Sequence, residues 1–281
     1  MTPDTLLRLG RVSNLPTVWT NALAGAVLAV PEASIGTVVV AALALTFFYE
    51  GGMWLNDAFD AEIDARERAN RPIPMGEISR GTVFAGGFAM LGIGVILAFL
   101  IGTYAGLAGI GLAMAIIAYD WLHKVVSFGP VLMGLTRFLS YALAACAVGW
   151  LTNSVLLGGL GLLAWVIGLT YAAKQEAYDR IGAAWPLAVL AIPLVWALIS
   201  AIGSVVALAI WVVLAGVAAF ALHRLFRRAP GDVPKAVVTM IAGISLYDAV
   251  LIGGTGATAL AVVAAAGFVL TLVLQRVASG T

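Results

Sequence analysis

The chain has 281 residues, 62% hydrophobic and 10% charged, with a formal net charge of +1. Ordinary soluble domains carry roughly 25% charged residues; here the deficit runs the whole length and mean hydropathy is +1.05, which excludes a soluble domain with an anchor and leaves a polytopic membrane protein. The near-neutral balance argues against a nucleic-acid partner, and the single cysteine, Cys146, excludes an intrachain disulfide.

Residues 1–11 are polar and end in Arg8 and Arg11, an amphipathic lead-in. Apolar segments follow at about 12–30, 34–56, 81–102, 104–122, 129–151, 154–174, 184–202, 204–222, 235–253 and 256–275. Each is close to the ~20 residues that span a hydrocarbon core. The first carries no cleavage pattern and is expected to stay as a membrane helix. The expected architecture is an all-α transmembrane bundle of nine to ten spans, forming a single domain over residues 1–281. Between the spans lie short breaks such as Pro31-Glu32, Gly203-Ser204 and Gly253-Gly254, alternating with longer charged loops.

Basic residues test this count. Arg8, Arg11, Arg66, Arg68, Arg71, Arg80, Lys124, Lys174, Arg180, Arg224, Arg227, Arg228, Lys235 and Arg276 all fall on one side if the spans alternate. Only Arg137 lies within a span. Such bias places those loops, and both termini, in the cytoplasm. Glycine-rich runs such as GGFAMLGIG read as close helix packing, because no strand precedes them.

The chemistry concentrates at the end of the second span, in NDAFDAEIDARERANRPIP from Asn56 to Pro74. Five carboxylates and three arginines occupy nineteen positions there. Helical spacing puts Asn56, Asp60 and Asp64 on one face at i, i+4 and i+8. Such a file repels itself near a bilayer unless a cation sits on it. Oxygen ligands with no clustered His or Cys suit magnesium, which is commonly shared with substrate phosphates. A second acidic helix end follows span six in YAAKQEAYDR, where Gln175 and Asp179 share a face beside Glu176. Two such ends facing each other would clamp a diphosphate between Mg2+ ions, with Lys174 and Arg180 near the leaving group. YDWLHK after span four supplies Lys124 for a phosphate, and Tyr119 to stack on or hydrogen-bond a substrate. His123 reads equally as an interfacial residue. Glu50, Arg137 and Asp248 are ionisable groups inside spans; such groups normally meet a partner or a cavity. Glu50 and Arg137 are expected either to pair or, with Asn14, Tyr119 and Tyr171, to line a substrate chamber.

The first stretch resembles the NDxxDxxxD motif of the UbiA superfamily of intramembrane prenyltransferases, complete at Asn56-Asp57, Asp60 and Asp64. Arg71-Pro72-Ile73-Pro74-Met75-Gly76-Glu77-Ile78-Ser79 resembles its RPI-x-x-G-x-I-S continuation. The resemblance implies a helical membrane fold, usually of nine spans, that transfers a prenyl group from an isoprenyl diphosphate to an acceptor. It implies Mg2+ on Asn56, Asp60 and Asp64, with Gln175, Glu176 and Asp179 opposite. It also gives Asp60, Asp64 and Asp179 the catalytic role, Arg71 a contact to diphosphate oxygens, and the isoprenyl chain a tunnel among the helices. The chain departs from the family pattern in three ways: Gln175 stands where the second motif has Asp, His123 stands at the lysine of YxxxK, and a tenth span follows the usual nine. It is in this respect similar to EboC-like bacterial proteins, which implies the inner membrane of a bacterium.

The leading reading is Mg-dependent transfer to a lipophilic or aromatic acceptor whose identity the sequence does not give. A terpene synthase, in which the cation cyclises or meets water, is the near alternative. A transporter would place coupling residues near the midplane in broken helices of related halves, and no repeat relates the halves here. A non-catalytic prenyl-lipid binder is the remaining class.

Overall fold

A computed structural model describes residues 2–174 and 185–276. Among them every regular element is helical: α1 (Pro3–Gly10), α2 (Leu15–Ala29), α3 (Ile35–Phe59), α4 (Ala61–Glu67), α5 (Arg80–Ile101), α6 (Thr103–Leu122), α7 (Gly129–Val148), α8 (Asn153–Lys174), α9 (Ala191–Ala201), α10 (Val205–Arg227), α11 (Asp232–Gly254) and α12 (Thr258–Leu274). Each of the ten expected segments carries one α-helix, preceded by a 3-10 stretch in the first (Val12–Asn14) and the seventh (Trp185–Leu190), with α1 and α4 as short additions at the charged ends. Seven helices (α3, α5, α6, α7, α8, α10 and α11) are long and apolar enough to cross a membrane.

Helix starts follow the sequence. Ser79 and Ser204 accept hydrogen bonds from the backbone N–H groups of Thr82 and Ala207 at the heads of α5 and α10, which satisfies donors the helix leaves open. The first span is shorter than its apolar run suggests. Arg11 adopts a left-handed φ of 45°, Val12–Asn14 form a 3-10 turn, and α2 keeps 15 residues. That is about 22 Å of helix at 1.5 Å per residue, short of a ~30 Å core. The break expected at Gly253-Gly254 also moves. Both glycines stay helical, with Gly254 leaving room for the Ser200 carbonyl that a Cβ would strike, and the chain turns at Gly256 instead, at φ 91°.

α11 is the central helix: 83% of its most apolar window is buried, against 22% for α5 and 28% for α10. Around it, Trp165 donates to the Met240 carbonyl at 3.0 Å and Tyr247 to that of Gly158 at 2.9 Å. This main apolar core joins α11 to α2 and α7–α10. A second core joins α3, α5 and α6 to α2 and α7. The site lies where the two meet.

Candidate functional site

α3 ends at Phe59, and Asp60 serves both as its C-cap and as the residue before α4. The backbone nevertheless keeps its i, i+4 bonds across the join: Asp60 N–H donates to the Asn56 carbonyl at 2.9 Å and Asp64 N–H to that of Asp60 at 2.8 Å. The file of Asn56, Asp60 and Asp64 therefore survives the change of helix. Asp57, Asp60 and Asp64 are all buried.

Each carboxylate is treated differently. Asp57, one position off the file, is bound by Arg11 at 2.8 Å and Arg71 at 3.2 Å. Arg8 and Thr5 of α1 reach Glu77 at 3.0 and 2.8 Å, so the lead-in helix is strapped across the loop that carries Arg71. Asp60 meets His123 Nε2 at 3.3 Å and Lys124 Nζ at 3.4 Å. Burial alone would push the Asp60 carboxyl up, but His123 and Lys124 outweigh it and hold the group below its ordinary value. Burial raises Asp64, and the neighbouring carboxylates of Asp57 and Asp60 add to this against the opposing charge of Arg71. Among the described residues Asp64 has no ion-pair partner.

From α6, Asp120 accepts a hydrogen bond from Asn56 Nδ2 at 3.2 Å, and the His123 ring stacks on Tyr119 at 4.8 Å. Next to these groups lie two adjoining cavities. Both have Tyr49, Met53, Met133 and Arg137 in their walls. The first adds Tyr119, Asp120 and mainly apolar side chains such as Leu45, Phe48 and Ile116; the second reaches Arg11 and Asn14.

Of the residues expected at the site, Asn56, Asp60, Asp64, Arg71 and Lys124 gather at one mouth. Tyr119, Arg137 and Asn14 line the cavities. Tyr171 packs on the main core. Lys174 ends α8, while Gln175, Glu176, Asp179 and Arg180 lie outside the described residues. The expected pairing of Glu50 with Arg137 is not made. Glu50 lies against Gly10 of α1. Arg137 instead donates to Asn21 Oδ1 at 2.8 Å, Asn21 Nδ2 donates to Asp248 Oδ2 at 2.8 Å, and Tyr141 donates to Asp248 Oδ1 at 2.5 Å. Asn21 sits between the two ions because α2 passes between α7 and α11.

Three residues at the mouth are given no site role by the sequence alone: Arg11, Asp57 and Asp120. Asp120, His123 and Lys124 are spaced i, i+3 and i+4, and that shared face was the available signal.

The mouth offers oxygen donors from Asn56, Asp60 and Asp64 and no sulfur. Among the described residues no three His, Cys, Asp or Glu side chains converge to cage an ion. Oxygen donors without sulfur suit magnesium, which binds through one or two carboxylates and keeps several waters. Asp120 adds a buried oxygen, Oδ2, with no hydrogen-bond partner among the described residues, which a cation's hydration shell would satisfy.

The sequence profile of the UbiA prenyltransferase family matches residues 17–244. Digeranylgeranylglyceryl phosphate synthase of Pyrococcus horikoshii is 33% identical over 141 residues, 50% of each chain. The synthase of the same name from Methanothermobacter thermautotrophicus is 32% identical over 108 residues, 38% of each chain. The chain thus spans about half the length of the curated relatives it matches, or less. The fold is shared with a UbiA homolog from Aeropyrum pernix, TM-score 0.67 at 19% identity over 86% of this chain and 96% of that one. It is shared too with a UbiA homolog from Archaeoglobus fulgidus bound to GPP and Mg2+, TM-score 0.59 at 16% identity over 88% and 99%.

Proposed function

This chain belongs to the UbiA prenyltransferase family, and we propose that it transfers an isoprenyl group from a prenyl diphosphate to a lipophilic or aromatic acceptor. The single observation that carries the proposal is the file of Asn56, Asp60 and Asp64 beside a mainly apolar cavity that it reaches through Asp120, with His123 and Lys124 on Asp60 and Arg11 and Arg71 on the neighbouring Asp57. Residues 1–281 act as one membrane domain, in the inner membrane of a bacterium. The mouth and both termini face the cytoplasm, as the one-sided basic residues support.

Asn56, Asp60 and Asp64 would hold Mg2+, which when bound neutralises the diphosphate as a leaving group. Arg71 and Lys124 change partner, from Asp57 and Asp60 to diphosphate oxygens. The C–O bond of the prenyl diphosphate breaks and the electron pair leaves with the diphosphate. The apolar walls of Leu45, Phe48 and Ile116 keep water from the allylic cation. The acceptor's nucleophilic atom then forms the new bond to the allylic carbon and gives up its proton to an oxygen of the released diphosphate. Gln175, Glu176 and Asp179, with Lys174 and Arg180, would form the opposite jaw.

The test is Mg2+-dependent diphosphate release from geranyl, farnesyl and geranylgeranyl diphosphates by wild type, Asp60→Ala and Asp64→Ala. Release by wild type alone is expected. Equal release by all three proteins would remove the assignment, and a cyclic hydrocarbon formed without acceptor would move it to a terpene synthase.

A further inference from the structure

Asp120 takes no part in the scheme above, and its setting differs from that of its neighbours. It lies near the end of α6 and is 4% exposed. The carboxylates of Asp57 and Asp60 each touch two basic side chains; that of Asp120 pairs with none among the described residues, His123 reaching only its backbone carbonyl. Its Oδ1 accepts from Asn56 Nδ2 at 3.2 Å. Its Oδ2 is buried without a hydrogen-bond partner there, and Asp120 stands in the wall of the first, mainly apolar cavity. A buried carboxylate oxygen left unsatisfied is costly, so this one is built for something that arrives.

The hydrogen-bond chemistry says what. An amide side chain presents an oxygen on one side and an NH2 on the other, and a divalent cation takes only the oxygen. A carboxylate only accepts. By engaging Asn56 Nδ2, Asp120 leaves Asn56 Oδ1 free to turn away from it, as a cation ligand must. We propose that Asp120 is a positioning residue of the cation site. Its Oδ1 locks the amide of Asn56 with the carbonyl oxygen presented to the ion, and its Oδ2 accepts a hydrogen bond from a water the ion retains. The proposal rests on the reading that Asn56, Asp60 and Asp64 hold the cation, and deepens it by bringing in a second helix, α6. Outer-shell partners of this kind are worth about 10–100-fold in metal affinity.

The experiment uses Mn2+ alone as probe, titrated into the purified full chain in detergent while free Mn2+ is followed by EPR. Asp120→Asn is expected to weaken Mn2+ binding by about 10–100-fold. Asn56→Asp alone sets two carboxylates face to face and is expected to lose affinity as well. The double variant Asn56→Asp/Asp120→Asn exchanges donor and acceptor across the same bond, and is expected to bind Mn2+ better than either single variant. A merely structural pin between α3 and α6 would lower the melting temperature of Asp120→Asn and leave its Mn2+ affinity unchanged; that result overturns the proposal. Asp60→Asn separates the two readings. If it binds Mn2+ like wild type, the cation site itself is misplaced. If it loses Mn2+ while Asp120→Asn does not, only the role of Asp120 falls.

Discussion

Two polar regions interrupt this apolar bundle, and they are built on opposite rules. At the mouth, Asp57 and Asp60 touch cationic side chains directly, and one of those, Lys124, is 42% exposed. In the core, Asp248 meets the neutral donors Asn21 and Tyr141, and Arg137 reaches it only through the Asn21 amide. Asn21, Tyr141 and Asp248 have no exposure at all. The difference teaches what each region is for. Lys124, partly in solvent, holds Asp60 through a pair that water screens, so it can exchange that carboxylate for a substrate oxygen at little cost. A buried chain of neutral links fixes three helices in register and has no such freedom.

Substitution should separate the two regions most sharply in the core. Asp248→Ala strands the donors of Asn21 and Tyr141 and the charge of Arg137, and is expected to cost about 3–5 kcal/mol of stability, read by chemical unfolding in detergent. A melting curve matching wild type would show the network to be dispensable. At the mouth the loss should fall on activity instead. Asp60→Asn or Asp64→Asn is expected to lower turnover on the order of 100-fold or more with expression, detergent behaviour and circular dichroism intact. Near-wild-type turnover in Mg2+ would remove these carboxylates from the site.

Lys124→Met sharpens the exchange argument. It removes one cation from Asp60 and from the incoming diphosphate, so KM should rise about tenfold, roughly 1.4 kcal/mol; an unchanged KM would leave Lys124 a bystander. The pH profile carries a smaller signal with a definite sign. A carboxylate needed in its ionised form loses function as pH falls through its pKa. Asp64, raised by burial and by Asp57 and Asp60, should therefore set the acid limb of wild type, with Asp60 titrating below it. His123→Gln removes the main opponent of burial at Asp60, so the limb should steepen and move to higher pH; a limb that stays put or moves down contradicts the pairing. Smallest of all is Glu62→Gln. It breaks a pair with Arg80 in which Glu62 is 79% exposed, and stability should change by less than about 1 kcal/mol.

The sequence made the mouth legible because its decisive relation is local. Asn56, Asp60 and Asp64 stay aligned through backbone bonds four residues long, and those bonds persist even though α3 stops at Phe59. Ten apolar segments were legible for the same reason, since length and hydropathy are local too. What escaped was carried by long-range contacts. Arg11 reaches Asp57 across 46 positions and Asn56 reaches Asp120 across 64. Glu50 and Arg137 looked like partners because they are opposite charges at similar depth, yet the passage of α2 between α7 and α11 gave Arg137 to Asn21. The glycines at Gly253 and Gly254 looked like a break because glycine usually is one; only the neighbours show that Gly254 lets the Ser200 carbonyl of α9 approach α11 and that Gly253 lies against Ala207 of α10.

The sequence by itself determined the class of protein, the helical membrane fold, and an oxygen-rich site after span two. Composition and period follow directly from what a bilayer and an α-helix demand of each residue. Tertiary structure decided which cation holds which carboxylate, which amide face of Asn56 is left open, and where the ionisable groups of the core find partners. Those outcomes depend on helix crossings set by packing along whole faces, and no short stretch of the chain encodes them.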